Sequence, residues 1–332
     1  MNHPLIKASA LAVMLLQALP SQDQATTLAT LAQRADLVVR ATVTQSVHPT
    51  PQWHQLTLRA DAVLKGAVGA TFTLTEPAGR CCGRSLFALQ AGDERVLFLK
   101  RVGPVLHTLG GGRGVLPTTP ALLAHTEQLL QASTSNALGH LLAQNLEHAE
   151  PRIAHDAALS LAVLPNLSLT PAERSAVATS LLLSVQRGST KTAALADIAA
   201  RLGDASMVDA VLPVYMNATR NDQADLLRKA LVRCSPALVA ERMPVFVGAT
   251  RRGNLRAATL LIDLPPHLAH AAMTDLLTRP NHPQVQLHLC EGLLAAGVSQ
   301  AALQPMVPEV VLEMAIERRN RRPVFKNIRP RR

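Results

Sequence analysis

The chain has 332 residues, enough for two domains, and 48% of them are hydrophobic, so a sizeable core can be buried. Aromatics make up only 2%, which leaves Leu, Ala and Val to build that core and favours close-packed helices for most of the length. The net charge of +10 belongs to one end: residues 318–332 (RRNRRPVFKNIRPRR) carry eight basic residues and no acid, and without them 25 basic residues face 23 acidic ones. The near-neutral body lacks the spread basic surface of a nucleic-acid-binding protein, so no nucleic acid is expected as partner. The basic run reads as a disordered tail able to contact acidic surfaces.

The chain opens on MNHPLIKASALAVMLLQALPSQDQATT. Lys7 supplies a weakly positive start, and Ala8 to Leu19 is apolar or small apart from Ser9 and Gln17. That run is too short to cross a bilayer and suits the apolar region of a secretory signal, so residues 1–25 are read as a signal peptide cleaved between Ala18 and Ala25. The expected location is secreted or periplasmic. The first cysteine is Cys81, so a lipid on a mature N-terminal cysteine is not expected. No later run is apolar enough to span a membrane.

Residues 26–119 read as a small β-barrel domain, preceded by a short helix at Leu28–Ala35. Leu37, Val39, Ala41 and Val43 alternate with Val38, Arg40, Thr42 and Thr44. Leu56, Leu58, Ala60, Ala62 and Leu64 do the same against Thr57, Arg59 and Asp61, and Phe72 and Leu74 against Thr71, Thr73 and Thr75. Period two marks strands with one buried face. Turns are expected at His48-Pro49-Thr50-Pro51, at Lys65-Gly66 with Gly69, and at Pro77 with Gly79. The run Glu94 to Lys100 (ERVLFLK) reads as a strand covered on both faces, and Val105 to Leu109 as one more. The glycines of LGGGRGVLP are read as a turn: a phosphate-binding loop needs Gly-Lys-Ser/Thr and a helix directly after it, and Pro117 and Pro120 interrupt.

The strings ADLVVRATV, LRADAVLKGAVGATFTLTEP, GDERVLFLKR and GGGRGVLP resemble a small secreted β domain found ahead of other modules in bacterial exported proteins. The layout is similar to OB-like barrels, including the netrin/TIMP type. The resemblance implies an antiparallel barrel and binding of a protein, and carries over no catalytic residue. TIMP-type inhibitors begin on a metal-ligating cysteine that has no counterpart here, which counts against protease inhibition.

Residues 120–149 read as connecting helices (Ala121–Ala132 and Asn136–Ala149), and residues 150–317 as helix pairs. First helices are expected at His155–Pro165, Lys191–Asp204, Asp225–Pro236, Asn254–Pro266 and Gln286–Gly297. Second helices are expected at Pro171–Val185, Ser206–Met216, Ala237–Val247, His267–Leu277 and Gln300–Glu313. Aligning Leu164, Leu202, Cys234, Leu264 and Ala296 gives spacings of 38, 32, 30 and 32 residues, the period of a helix-hairpin repeat. Thr170-Pro171-Ala172-Glu173 is a helix start, with a capping hydroxyl and Glu three residues on. This stretch resembles the HEAT/armadillo α-solenoids, which implies an extended surface for binding proteins. The expected fold class is therefore α+β with two domains: a small antiparallel OB-like β-barrel followed by an all-α, HEAT-like helical-repeat array.

Groups that could carry chemistry are few. Cys81 and Cys82 in GRCCGRS are the candidate site, as a disulfide or as reactive thiols, since Arg80 and Arg84 favour thiolate. His267 and His270 stand a turn apart but lack the Glu of a zinc-protease helix. His288 and Cys290 point apart, and His140, His148 and His155 form no closed ligand set. Asp204, Asp209, Glu147 and Glu150 read as solvated faces or helix-end charges. No catalytic, cofactor-binding or metal residue is assigned, and no cofactor. Cys234 and Cys290 lie two layers apart, too far to bond. The expectation is an exported, non-enzymatic scaffold binding a protein partner through its helical surface. The alternatives are an inhibitor-like or chaperone-like protein acting through the β domain, and a hydrolase or redox enzyme with its site at the domain junction.

Overall fold

The computed structural model describes residues 26–50, 53–77, 80–81, 84–85, 89–203, 205–247 and 250–321. The expected signal segment, Cys82, Asp204 and residues 322–332 of the basic run lie outside them. The chain divides into two compact units: one holds the described residues up to Leu141 together with His148–Ser160, and the other holds Leu142–Glu147 and the residues from Leu161 onward.

The first unit starts with α1 (Leu28–Arg34), where the Thr27 side chain accepts from the Thr30 backbone N–H, and Leu28 and Leu31 are fully buried. Then come β1 (Leu37–Thr50), β2 (Trp53–Lys65), β3 (Thr71–Pro77), β4 (Arg80–Cys81), β5 (Arg84–Ser85), β6 (Glu94–Val102), β7 (Val105–Thr108) and β8 (Val115–Pro117). The main sheet is antiparallel in the order β3-β2-β1-β6-β7, with β8 also paired to β6, while β4 and β5 form a separate ladder. The end strands β3 and β7 approach each other without joining the ladder, so the barrel is nearly closed. Four register shifts in the β1–β2 pairing bend these long strands. The alternation sets the core as the sequence implies: Leu37, Val39, Ala41 and Val43 meet Leu56, Leu58, Leu74, Leu97 and Leu99. Val96 and Phe98 are buried too, so β6 is covered on both faces. Gly66 has φ +78°, and a Cβ there would stand 2.3 Å from the Asp36 carbonyl oxygen.

Two details differ from the sequence reading. The His48-Pro49-Thr50-Pro51 turn is displaced: β1 runs through His48 and Pro49 to Thr50, which faces Trp53. Pro49 is tolerated because it falls within the register shift between Val47 and Thr50, where no regular ladder donor is needed. The glycine loop is also more than a turn. It forms a 3-10 turn at Gly111–Gly114 and delivers the short strand β8 to β6.

Among the described residues thirteen helices follow the barrel: α2 (Pro120–Gln131), α3 (Ser135–Gln144), α4 (Pro151–Val163), α5 (Pro171–Arg187), α6 (Thr192–Leu202), α7 (Ala205–Asn217), α8 (Asn221–Cys234), α9 (Pro236–Arg242), α10 (Arg251–Asp263), α11 (Pro266–Thr278), α12 (Pro283–Ala295), α13 (Gln300–Leu303) and α14 (Glu309–Arg321). The protein is thus α+β, a barrel followed by an all-helical part. In the second unit the packing alternates: α6, α8, α10, α12 and α14 contact one another in succession, as do α5, α7, α9 and α11. The apolar side chains between these rows include Leu195, Ile198, Leu227, Leu231, Leu260, Leu261, Leu289 and Leu293, with Val177, Leu181, Val211 and Leu212 beside them.

Four of the five first helices of the pairs begin earlier than the apolar period suggests. α8 starts at Asn221 and not near Asp225, and α12 at Pro283, where the His282 side chain accepts from the Gln284 N–H. A first turn is polar, so periodicity misses it. The stretch Gln300–Glu313 is two helices and not one, because Pro305 and Pro308 cannot supply helical donors. α14 continues to Arg321, so the first residues of the basic run are helical. The Thr170–Glu173 capping box is formed in full, with reciprocal bonds.

Candidate functional site

Cys81 sits on a short two-stranded ladder, where it pairs with Arg84 and Arg80 pairs with Ser85. Cys82 lies outside the described residues. Cys234 and Cys290 are not joined to each other. Cys234 Sγ donates to the Ala199 carbonyl at 3.4 Å, and Cys290 is a fully buried thiol whose pKa burial pushes up to about 11, with Glu291 adding to the rise. Both behave as small hydrophobes in the α8 and α12 cores, with the α10–α11 hairpin between them.

The open seam of the barrel forms a groove of about 650 Å³ between β3 and β7. Val68, Phe72 and Leu106 line it with Thr73, Thr75 and Arg101. Among the described residues Arg101 is its charged lining group, and it donates to the Ala67 carbonyl at 3.4 Å. The groove exists because β7 is four residues long and stops before completing a ladder with β3.

At the far end of the β1–β2 hairpin, His48 and His54 stack, with ring centroids 4.5 Å apart and planes 14° from parallel. The His54 Nε2 is 2.8 Å from the Ser46 Oγ. His54 is buried and His48 exposed. Burial, with the neighbouring His48 adding to it, holds the His54 imidazole below its ordinary pKa, so the ring is neutral at pH 7. Alternation along β1 and β2 puts these residues on one face once the strands are known to extend this far; the supposed turn at His48 hid the pair.

A second buried polar group ties α1 to later helices. The Asp156 carboxylate accepts from the Leu28 N–H at 3.2 Å and from Arg152 Nε at 2.7 Å. Burial raises its pKa despite the Arg152 charge. His125 on α2 is buried, and its Nδ1 has no hydrogen-bond partner among the described residues. Burial first and His148 second lower its pKa to about 4.

Glu147 is exposed, as its reading as a solvated charge has it, and it is also paired. It accepts from Lys191 Nζ at 2.6 Å and from the Ser180 hydroxyl. Burial works against its charge, yet the hydrogen bonds from Lys191 and Ser180 outweigh it and hold the carboxyl below its usual range. The group joins α5 and α6 to the segment before α4, a structural role. Asp209 pairs with Arg242 at 3.3 Å between exposed side chains. His267 and His270 both lie exposed on α11. Among the described residues, no three or more His, Cys, Asp or Glu side chains converge as a metal cage, and no helix is long and apolar enough to cross a membrane.

No protein-family model matches the chain, and no curated protein matches its sequence. The functional reading therefore rests on the molecule itself.

Proposed function

We propose that this is an exported, non-enzymatic binding protein whose helical part is a HEAT-like repeat array presenting a surface to a protein partner. The observation that carries the reading is the regular back-bonding between successive helix pairs. Arg201 donates to Ala162 and Leu164, Gln223 to Val185, Arg233 to Asp197, and Arg252 to Thr219. These partners stand 33 to 39 residues apart, close to the period read from sequence. A stack in which each pair bonds its predecessor is the organisation of a solenoid, and solenoids act through their extended surfaces. Export rests on the apolar segment before Pro20. The barrel groove favours a second reading, in which the β domain holds an apolar group beside Arg101.

The test uses the full chain as bait in the exported protein fraction. The most exposed apolar side chains of the helical part are Val163 (75%), Val245 (79%) and Val310 (61%). A partner held by the wild type and released by Val163→Lys, Val245→Lys or Val310→Lys supports the array as the binding surface. A partner that ignores all three but is released by Arg101→Ala assigns binding to the barrel. Turnover of a hydrolase substrate panel without a bound protein would overturn both.

A further inference from the structure

We propose that the open seam of the barrel binds the C-terminal end of a partner polypeptide as an added strand on β3, with the terminal carboxylate on Arg101. The inference rests on the second reading above, in which the barrel groove holds an apolar group, and owes nothing to the helical array.

The edge itself selects an extended backbone. The Ala60 N–H donates to the Ala70 carbonyl at 2.9 Å, which sets the phase of the β2–β3 pairing. In an antiparallel ladder, residues bonded to the partner strand alternate with residues whose backbone groups face away. Phe72 and Leu74 therefore bond β2, and the N–H and C=O groups of Thr71, Thr73 and Thr75 point into the seam. Across it the Leu109 N–H donates to the Phe98 carbonyl at 2.8 Å, so by the same count Leu106 points its backbone groups into the seam from β7. Among the described residues no hydrogen bond reaches these groups. Edge strands are ordinarily blunted by charge, proline or a bulge. β3 instead pairs with β2 over seven residues without a register shift, and its stretch TFTLT carries neither charge nor proline. Val105, which lines the groove, and its ladder partner Val102 are both exposed.

The topology gives the direction. Four antiparallel pairings separate β3 from β7, so the two edges run the same way. A guest antiparallel to both, the better-bonded arrangement, ends beside Thr71 and Val105. Arg101 stands at that end, opposite Leu106 in the ladder and with Nη2 on the Ala67 carbonyl at 3.4 Å. It is exposed, and among the described residues no acid pairs with its guanidinium, whose remaining donors suit a bidentate carboxylate. Val68, Phe72 and Leu106 take every second side chain of the guest. β3 and β7 approach within 8 Å, whereas strands flanking a common neighbour stand about 9.4–9.8 Å apart, so the guest displaces the four-residue β7 by roughly 2 Å.

The test selects binders of the full chain from heptapeptides displayed with free C-termini. Enriched sequences should place apolar side chains at alternate positions, and the synthetic peptide should bind roughly tenfold or more weakly once its carboxylate is amidated. Against Arg101→Ala, amidation should make no difference. Thr73→Pro removes a donor that faces away from β2 and should weaken the peptide by a similar factor, while Thr73→Val keeps the donor and should not. N-methylation at successive peptide residues probes the pairing without altering the protein, and alternate positions should be the sensitive ones. Equal affinity for acid and amide, or N-methyl effects without alternation, would overturn the added strand. Dodecanoate separates this inference from the reading beneath it. If dodecanoate binds equally to wild type and Thr73→Pro while no peptide is enriched, the strand falls and the apolar groove stands. If neither dodecanoate nor any peptide binds, both fall.

Discussion

The Asp156 carboxylate accepts the backbone N–H of Leu28 at 3.2 Å, across 128 residues of sequence. It thereby satisfies a donor in the first turn of α1 that the helix cannot satisfy itself. Asp156→Ala leaves that N–H and the partly buried Arg152 without their acceptor, and should cost about 2–4 kcal/mol. Asp156→Asn keeps an acceptor and should fall between the two. Urea denaturation followed by Trp53 measures this, and a loss under about 0.5 kcal/mol for the alanine variant would show the contact to be dispensable.

His125 makes the first unit acid-sensitive. Its folded pKa is about 4 against 6.5 for the free side chain, so the unfolded chain takes up the proton first as pH falls. Stability from this residue is present above pH 6.5 and is lost progressively between about 6.5 and 4, on the order of 3 kcal/mol in all. Asp156 acts in the opposite direction, because its raised pKa lets the folded state take a proton before the unfolded one. His125→Leu should flatten the decline between pH 6.5 and 4 when unfolding is measured across that range. An equally steep decline in the variant would place the sensitivity elsewhere.

Gly66 and Gly92 offer a paired test of backbone against space. Both have positive φ, +78° and +95°, but a Cβ meets the Asp36 carbonyl at Gly66 and nothing within 4 Å at Gly92. Gly92→Ala should cost only the left-handed backbone penalty of about 1–2 kcal/mol. Gly66→Ala should cost clearly more, because Asp36 and Leu37 must shift. Equal midpoints for the two variants in thermal unfolding would contradict the close approach.

Cys290 should resist alkylation in the folded protein at pH 8, since its thiol is buried and titrates at about 11, and should react once the chain is unfolded. Peptide mapping of the non-reduced protein should show no Cys234–Cys290 link. Rapid native labelling of Cys290 would show that α12 is not packed as described.

The barrel was legible because Leu37 to Val43 and Leu56 to Leu64 obey a period of two that only a half-buried strand imposes. The helices were legible through the apolar stripes of α6, α8 and α10, but their starts were not, since a first turn such as Asn221–Ala224 is polar. The break at Pro305 and Pro308 was written in the sequence and was overruled by the apolar residues on either side. Single-position reading could not find the polar groups. His48 meets His54 only after the hairpin register is set, and Asp156 reaches Leu28 only after the chain has passed through the barrel strands and the helices α2 and α3. Glu147 is the solvated charge its position suggests, but its partners Ser180 and Lys191 lie 33 and 44 residues further on and could not be named from that position.

Hydrogen–deuterium exchange of the full chain, alone and with its captured partner, addresses the binding role of the helical array most directly. The account predicts partner-dependent protection concentrated in residues 161–321, spread over several successive helix pairs. Protection confined to the barrel strands between Leu37 and Pro117 would contradict it.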